Sequence, residues 1–296
     1  MNWLVIVTVA YFLNAISIAI NKALIKKEVP SPAAYTFYIS ALGALAIVLL
    51  PFDFNIPSWD KMIWNFLSGA AFTAALYFMM LALKKEDASR VTPFIGGLGP
   101  FFIFILAYLF LAERLAGNQV LAFAVILIGT FLISFNFRKH RIGRIFLIAL
   151  PAVVFFAISY VLAKYVYLEQ NFLSAFIWIR VGAFIAALVL LIPAKYRRAI
   201  FGNIKKSSEG SKWIFGLGQA AGAGSAILQN WAIALASVSL VNALQGLQYV
   251  FLFIIVLLLK NKHPKLLDED LSRKVYIQKV VSIILIVVGL FLISIS

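Results

Sequence analysis

Ala82 to Arg114 reads ALKKEDASRVTPFIGGLGPFFIFILAYLFLAER. Charges come first, then Pro93, the glycines Gly96, Gly97 and Gly99, a second proline at position 100, and an apolar run that stops at Glu113 and Arg114. The run is continuous rather than alternating, so it reads as helix and not as a barrel strand. Yet each glycine costs a helix in water about 1 kcal/mol relative to alanine, and each proline withdraws an amide donor. A bilayer tolerates such a start where small residues let neighbouring helices approach and where protein or water satisfies the freed carbonyls. The segment is therefore expected to pack tightly, to bend near Pro100 and to line a cavity at its start. Gly96, Gly99 and Pro100 are the candidate hinge.

The rest of the chain belongs to the same environment. Of its 296 residues 64% are hydrophobic and 12% charged, with a mean hydropathy of +1.00. A water-soluble globule would carry about 45–50% apolar residues. Segments of roughly 20 apolar residues, long enough to cross a hydrocarbon core of about 30 Å, lie near 3–24, 33–51, 62–83, 89–111, 118–136, 145–168, 172–193, 213–234, 236–259 and 276–296. The expected fold class is an all-α membrane protein of ten transmembrane helices. The first segment has neither a basic leader nor a small-residue cleavage site and reads as a retained helix. The connections near 194–212 and 260–275 read as charged linkers, too short for a soluble domain.

The net charge of +15 points to topology rather than to nucleic acid. Lys26, Lys84, Arg138, Arg141, Arg197, Lys205, Lys262 and Arg273, among others, crowd into the first, third, fifth, seventh and ninth connections, whereas Lys61 and Arg114 stand in even ones. By the positive-inside bias the odd connections are cytoplasmic and both termini face outward. With no cysteine, disulfides and thiol chemistry are excluded.

An internal repeat underlies this plan. Shifted by 150 positions, Ser89–Gly96 lies over Ser239–Gly246, with Phe101 over Phe251 and Leu109 over Leu259. Shifted by 142, AISIAINKAL from Ala15 lies over AISYVLAKYV from Ala157, pairing Lys22 with Lys164. Five spans followed by five more put the second copy in upside down. Residues 1–140 and 141–296 are then two inverted five-helix repeats, an arrangement used by secondary transporters that alternate access around a midplane site.

The Ala88-Ser89 pair, the Pro/Gly-rich helix start and the Leu111-Ala112-Glu113 ending resemble the signature of EamA-type members of the drug/metabolite transporter superfamily. The likeness extends over nearly the whole chain. In the second copy Lys260 and His263 stand where the Leu-x-Glu ending is expected, and an acidic cluster, Asp268-Glu269-Asp270, follows. The resemblance implies a multi-pass protein of a bacterial or archaeal cytoplasmic membrane. It also implies transport of amino acids, other small metabolites, sugar phosphates or nucleotide sugars.

Polar residues fall in stripes on certain helices, and a polar side chain facing lipid is expensive. Asn14, Ser17 and Asn21 share a face of the first segment; Thr73 and Tyr77 mark the third; Tyr160, Lys164 and Tyr167 the sixth; Gln219, Gln229 and Asn230 the eighth; Asn242, Gln245, Gln248 and Tyr249 the ninth. The candidate cavity residues are Asn14, Asn21, Tyr77, Tyr160, Lys164, Gln219, Gln229, Asn242, Gln245 and Tyr249. Arg180, eight residues into the seventh segment, needs a partner or a wet path and joins the gating set. The fifth and tenth segments are almost purely aliphatic and are expected to face lipid or a partner. A monomer or weak homodimer follows.

No acidic residue and no histidine falls mid-span, so the usual proton relay and the usual counter-ion for cationic drugs are missing. No phosphate loop, metal-ligand spacing or nucleophile–base pair occurs, so neither an enzyme nor a cofactor or metal is expected. A mildly basic, aromatic-lined site suits zwitterionic or anionic solutes, amino acids foremost. A flippase for a lipid-linked sugar and a non-transporting scaffold are the competing expectations.

Overall fold

The computed structural model describes residues 3–24, 31–52, 55–85, 88–134, 142–202, 209–259 and 273–295, and every regular element among them is helical. They are α1 (Trp3–Leu24), α2 (Pro32–Ala44), α3 (Trp59–Lys85), α4 (Ala88–Phe110), α5 (Gly117–Ser134), α6 (Ile142–Glu169), α7 (Phe172–Leu188), α8 (Ala194–Phe201), α9 (Glu209–Leu235), α10 (Val238–Ala243), α11 (Gly246–Leu259) and α12 (Arg273–Ser294). Tighter 3₁₀ turns extend α2 over Leu45–Phe52 and α7 over Val189–Leu191.

Seven stretches are long and apolar enough to cross a membrane: Trp3–Ile20, Pro32–Phe52, Trp59–Lys85, Leu147–Glu169, Phe172–Leu191, Val238–Leu258 and Val275–Ser294. Phe94–Phe110 and Gly117–Ile133 are shorter apolar helices. The segment expected near 213–234 lies within α9 but falls outside the seven, because Gln219, Gln229, Asn230 and interspersed small residues dilute its hydropathy. The chain is a multi-pass membrane protein.

Two local readings need correction. The segment expected as one helix over 236–259 is two, α10 and α11, with Leu244 and Gln245 between them. Within the span read as a charged linker, residues 194–201 form α8, which packs Ile200 inward and shows its basic residues to solvent. The acidic cluster at 268–270 and the basic residues of the ninth connection up to position 272 lie outside the described residues.

Two compact units form, and both draw on both halves of the sequence. The first contains α1, α5 and α9–α12 (residues 1–28, 114–135 and 206–296). Within it α1 packs on α9 and α11, and α5 packs on α12. At that last contact, a Cβ at Gly129 would sit 3.0 Å from the Ser282 carbonyl oxygen, and one at Gly289 would collide with the Ile126 side chain. So each of these aliphatic helices, expected to face lipid or a partner, turns one face to the other. Ile284, Val287, Val288 and Phe291 remain exposed, while Ile126 and Ile286 are fully buried.

The second unit contains α2–α4 and α6–α8 (residues 29–113 and 136–205). Within it α3 packs on α6 and α7, α4 on α6, and α2 on α7. The α3–α7 crossing is backbone on backbone. A Cβ at Gly69 would overlap the Ile179 carbonyl oxygen, and one at Gly182 would lie 2.7 Å from the Phe66 Cα. Phe94, Ile95 and Val91 at the start of α4 sit in an apolar core with Ala82, Ala149, Ala152 and Val153. On that face the described part of the start of α4 is packed into an apolar core. Gly99 is not a tight contact, since a Cβ there would meet nothing within 4 Å.

Candidate functional site

Two polar centres emerge, one in each unit. The first surrounds the α10–α11 break. There Gln245 N–H bonds to the Asn242 carbonyl at 3.1 Å and Leu247 N–H to that of Leu244 at 2.9 Å, both one residue short of α-helical pairing. The i+4 partners of the Val241 and Ala243 carbonyls are thereby diverted. Side chains replace them: Tyr11 Oη donates to Val241 O at 2.9 Å, and Thr130 Oγ1 to Ala243 O at 3.3 Å. Irregular backbone at this depth survives only when such groups are satisfied. Gly246 is required here, because a Cβ would collide with Thr130 Oγ1.

The amides read as cavity residues crowd the same place. Asn14 Nδ2 donates to Gln248 Oε1 at 2.6 Å. Gln229 Nε2 reaches Tyr11 Oη at 3.4 Å and Asn242 Oδ1 at 3.5 Å, while Asn242 Nδ2 donates to the Val238 carbonyl at 2.8 Å. Asn14, Gln229 and Asn242 thus stitch α1, α9, α10 and α11 together. Gln245, in the break itself, is half-buried and its side chain makes no hydrogen bond among the described residues. Gln219 and Tyr249 are partly buried on α9 and α11. The Asn21 side chain lies outside the described residues.

The second centre lies among α2, α3, α6 and α7. The Arg180 guanidinium carbon sits 4.8 Å from the ring centre of Phe72 and 5.0 Å from that of Phe176. Its stem passes Gly43, with Cδ 3.5 Å from where a Cβ would stand. Tyr160 and Tyr167 lie within electrostatic range, and Tyr160 stacks on Phe156 at 6.4 Å. The close α3–α7 crossing at Gly69 and Gly182 sets Phe72 over the guanidinium, three residues from one glycine and two from the other.

Lys164 is buried on α6, in the field of the Glu113 carboxylate. The Leu-Ala-Glu ending explains that placement. Glu113 N–H bonds back to the Ala107 carbonyl at 3.1 Å, while Ala112 takes a left-handed φ of 51°, so α4 closes in a reversed turn and delivers Glu113. Tyr77 is elsewhere, its hydroxyl 2.8 Å from that of Tyr196 on α8. Gly96, Gly99 and Pro100 are buried within the unbroken α4.

Sequence reasoning missed Phe72 and Phe176, since phenylalanine in an apolar helix carries no signal of its own. Glu113 had a signal, the motif ending, but not its partner. Among the described residues there is also a cleft of about 260 Å³ beside Asn55, Ser58, Lys61, Glu169, Asn171 and Ser174, at the ends of α3 and α6. None of the candidate residues lines it. No group of His, Cys, Asp or Glu able to hold a metal occurs among the described residues.

Comparison with known proteins agrees with the motif. Residues 1–135 match the EamA-like transporter family, as the resemblance implied. Among curated proteins none matches the chain. Of the known structures 28 chains match, and one of them, a crystal structure described only as that of a protein, is 17% identical with a TM-score of 0.69. That likeness covers 99% of this chain and 98% of the other, and at such low identity it speaks for the fold alone.

Proposed function

We propose that this chain, EamA-like over residues 1–135, is a secondary transporter of small metabolites with ten spans in two inverted repeats, working by alternating access. Zwitterionic or anionic solutes are its substrates, with amino acids the leading class. Both termini face outward and the odd connections face the cytoplasm.

One observation carries the reading. In the first unit α1 packs on α9 and α11; in the second, α6 packs on α3 and α4. The sequence shifts relate α1 to α6 and α4 to α10–α11, and the order of spans relates α3 to α9. Each packing is then the other with the halves exchanged. The register agrees. Ser17 and Ser159 coincide under the 142-residue shift, and each sits at its helix crossing. Gly222 faces Ser17, where a Cβ would be 2.9 Å from its Oγ, and Ser68 faces Ser159 through paired hydrogen bonds. Matching packings in the two units support two interconverting states of similar energy, which alternating access requires.

Counterflow in proteoliposomes tests the proposal. A labelled amino acid accumulating against an internal unlabelled pool is the expected result. Absence of counterflow for amino acids, organic acids and sugar phosphates alike would leave a scaffold, and lipid-linked sugar translocation alone would make it a flippase.

A further inference from the structure

Arg180 carries five N–H donors and a permanent charge at a depth where both are costly. Eight residues into α7 it stands about 12 Å along the helix axis from Phe172, at 1.5 Å per residue. The Phe72 and Phe176 rings cover the guanidinium, and cation–π attraction is worth about 0.5–2 kcal/mol, short of what a desolvated ion needs. Among the described residues no carboxylate and no hydrogen-bond acceptor is paired with it. The in-plane edge of a guanidinium is the geometry that receives a planar oxyanion through two parallel hydrogen bonds.

Charge counting narrows the ligand. Lys164, the buried cation of this unit among the described residues, already lies opposite Glu113, whereas Arg180 is half-buried. One positive charge is left over. A single negative charge neutralises it, whereas a dianion would exchange an excess of one sign for an excess of the other in a low-dielectric setting. The phenyl rings beside it favour a carboxylate attached to an apolar body. We propose that Arg180 is the receptor for the carboxylate of a monovalent organic acid, and that this contact selects acids over their neutral amides. The proposal rests on the transport reading above and names the group of the substrate that this centre holds.

Thermal stabilisation of the purified full-length protein tests it with matched pairs: lactate and lactamide, phenylacetate and phenylacetamide. Succinate and inorganic phosphate serve as dianions. At least one acid should raise Tm where its amide does not, with binding weakened at least tenfold in Arg180→Gln and only partly restored in Arg180→Lys, which keeps the charge and loses the fork. Should the variants fail to fold, the wild type still decides. Phenylglyoxal adducts mapped at Arg180 should be suppressed by the acid and not by the amide. Equal effects of acid and amide, stabilisation by dianions alone, or an adduct that no acid suppresses would overturn the assignment. Counterflow whose acid preference survives Arg180→Gln would sink this inference and leave the transporter standing; loss of all counterflow in the wild type would sink the transporter.

Discussion

Ser68 and Ser159 bond to each other twice, each hydroxyl donating to the other's carbonyl oxygen at 3.0 Å. Both residues are buried, and the pair fixes α3 against α6 at one point along their length. Hydrogen bonds between membrane helices contribute about 0.6 kcal/mol on average and up to about 1.7. Ser68→Ala and Ser159→Ala should each lower stability by an amount in that range. A double-mutant cycle from unfolding in one defined detergent should show coupling between them, and additive or negligible losses would contradict the reciprocal bond.

The glycines divide into two kinds. Gly69→Ala pushes a methyl group into the Ile179 and Ala183 backbone, which cannot yield as a side chain can, so α3 and α7 must separate. Overpacking of this sort costs about 1–3 kcal/mol. Gly99→Ala fills open space and should be neutral or stabilising by up to about 1 kcal/mol. Thermal unfolding of the two variants checks the ordering. If Gly99 is a hinge, its variant is also slower in counterflow despite being no less stable.

The balance between what the residues disclosed and what they hid follows from the range of the forces involved. Span positions were readable because hydropathy is a sum over some 20 residues, and most predicted boundaries fall within a few residues of the helices found. The break at Leu244–Gln245 was not readable. No proline marks it, and it depends on Tyr11 and Thr130, remote in sequence, supplying the missing donors. The stretch that the 150-residue shift lays over it, around Pro93–Gly96, has the breaking residues and yet remains one helix, held in an apolar core by Val91, Phe94 and Ile95. Arg180 stood out from the sequence as a charge in an apolar run, while its aromatic covering did not. Asn14, Gln229 and Asn242 were legible as inward-facing, but only coordinates distinguish an amide that joins helices from one, like Gln245, with its side chain to spare.

Ala112 holds a left-handed backbone without being glycine. That conformation costs an L-residue roughly 1–2 kcal/mol. Ala112→Gly should therefore stabilise the second unit by about 1 kcal/mol, while Ala112→Val should destabilise it by more than that. A melting temperature that falls in the glycine variant would contradict the turn that delivers Glu113.

Opening of the solute pathway to each side of the membrane in turn can be measured directly, because the chain lacks cysteine. Gln245→Cys introduces a single thiol at the helix break. The measurement is its rate of reaction with a membrane-impermeant thiol reagent added from either face of oriented vesicles, with and without the solute that supports counterflow. Alternating access predicts reaction from both faces, with solute raising one rate as it lowers the other. Reaction from one face only, unchanged by any solute, would contradict it.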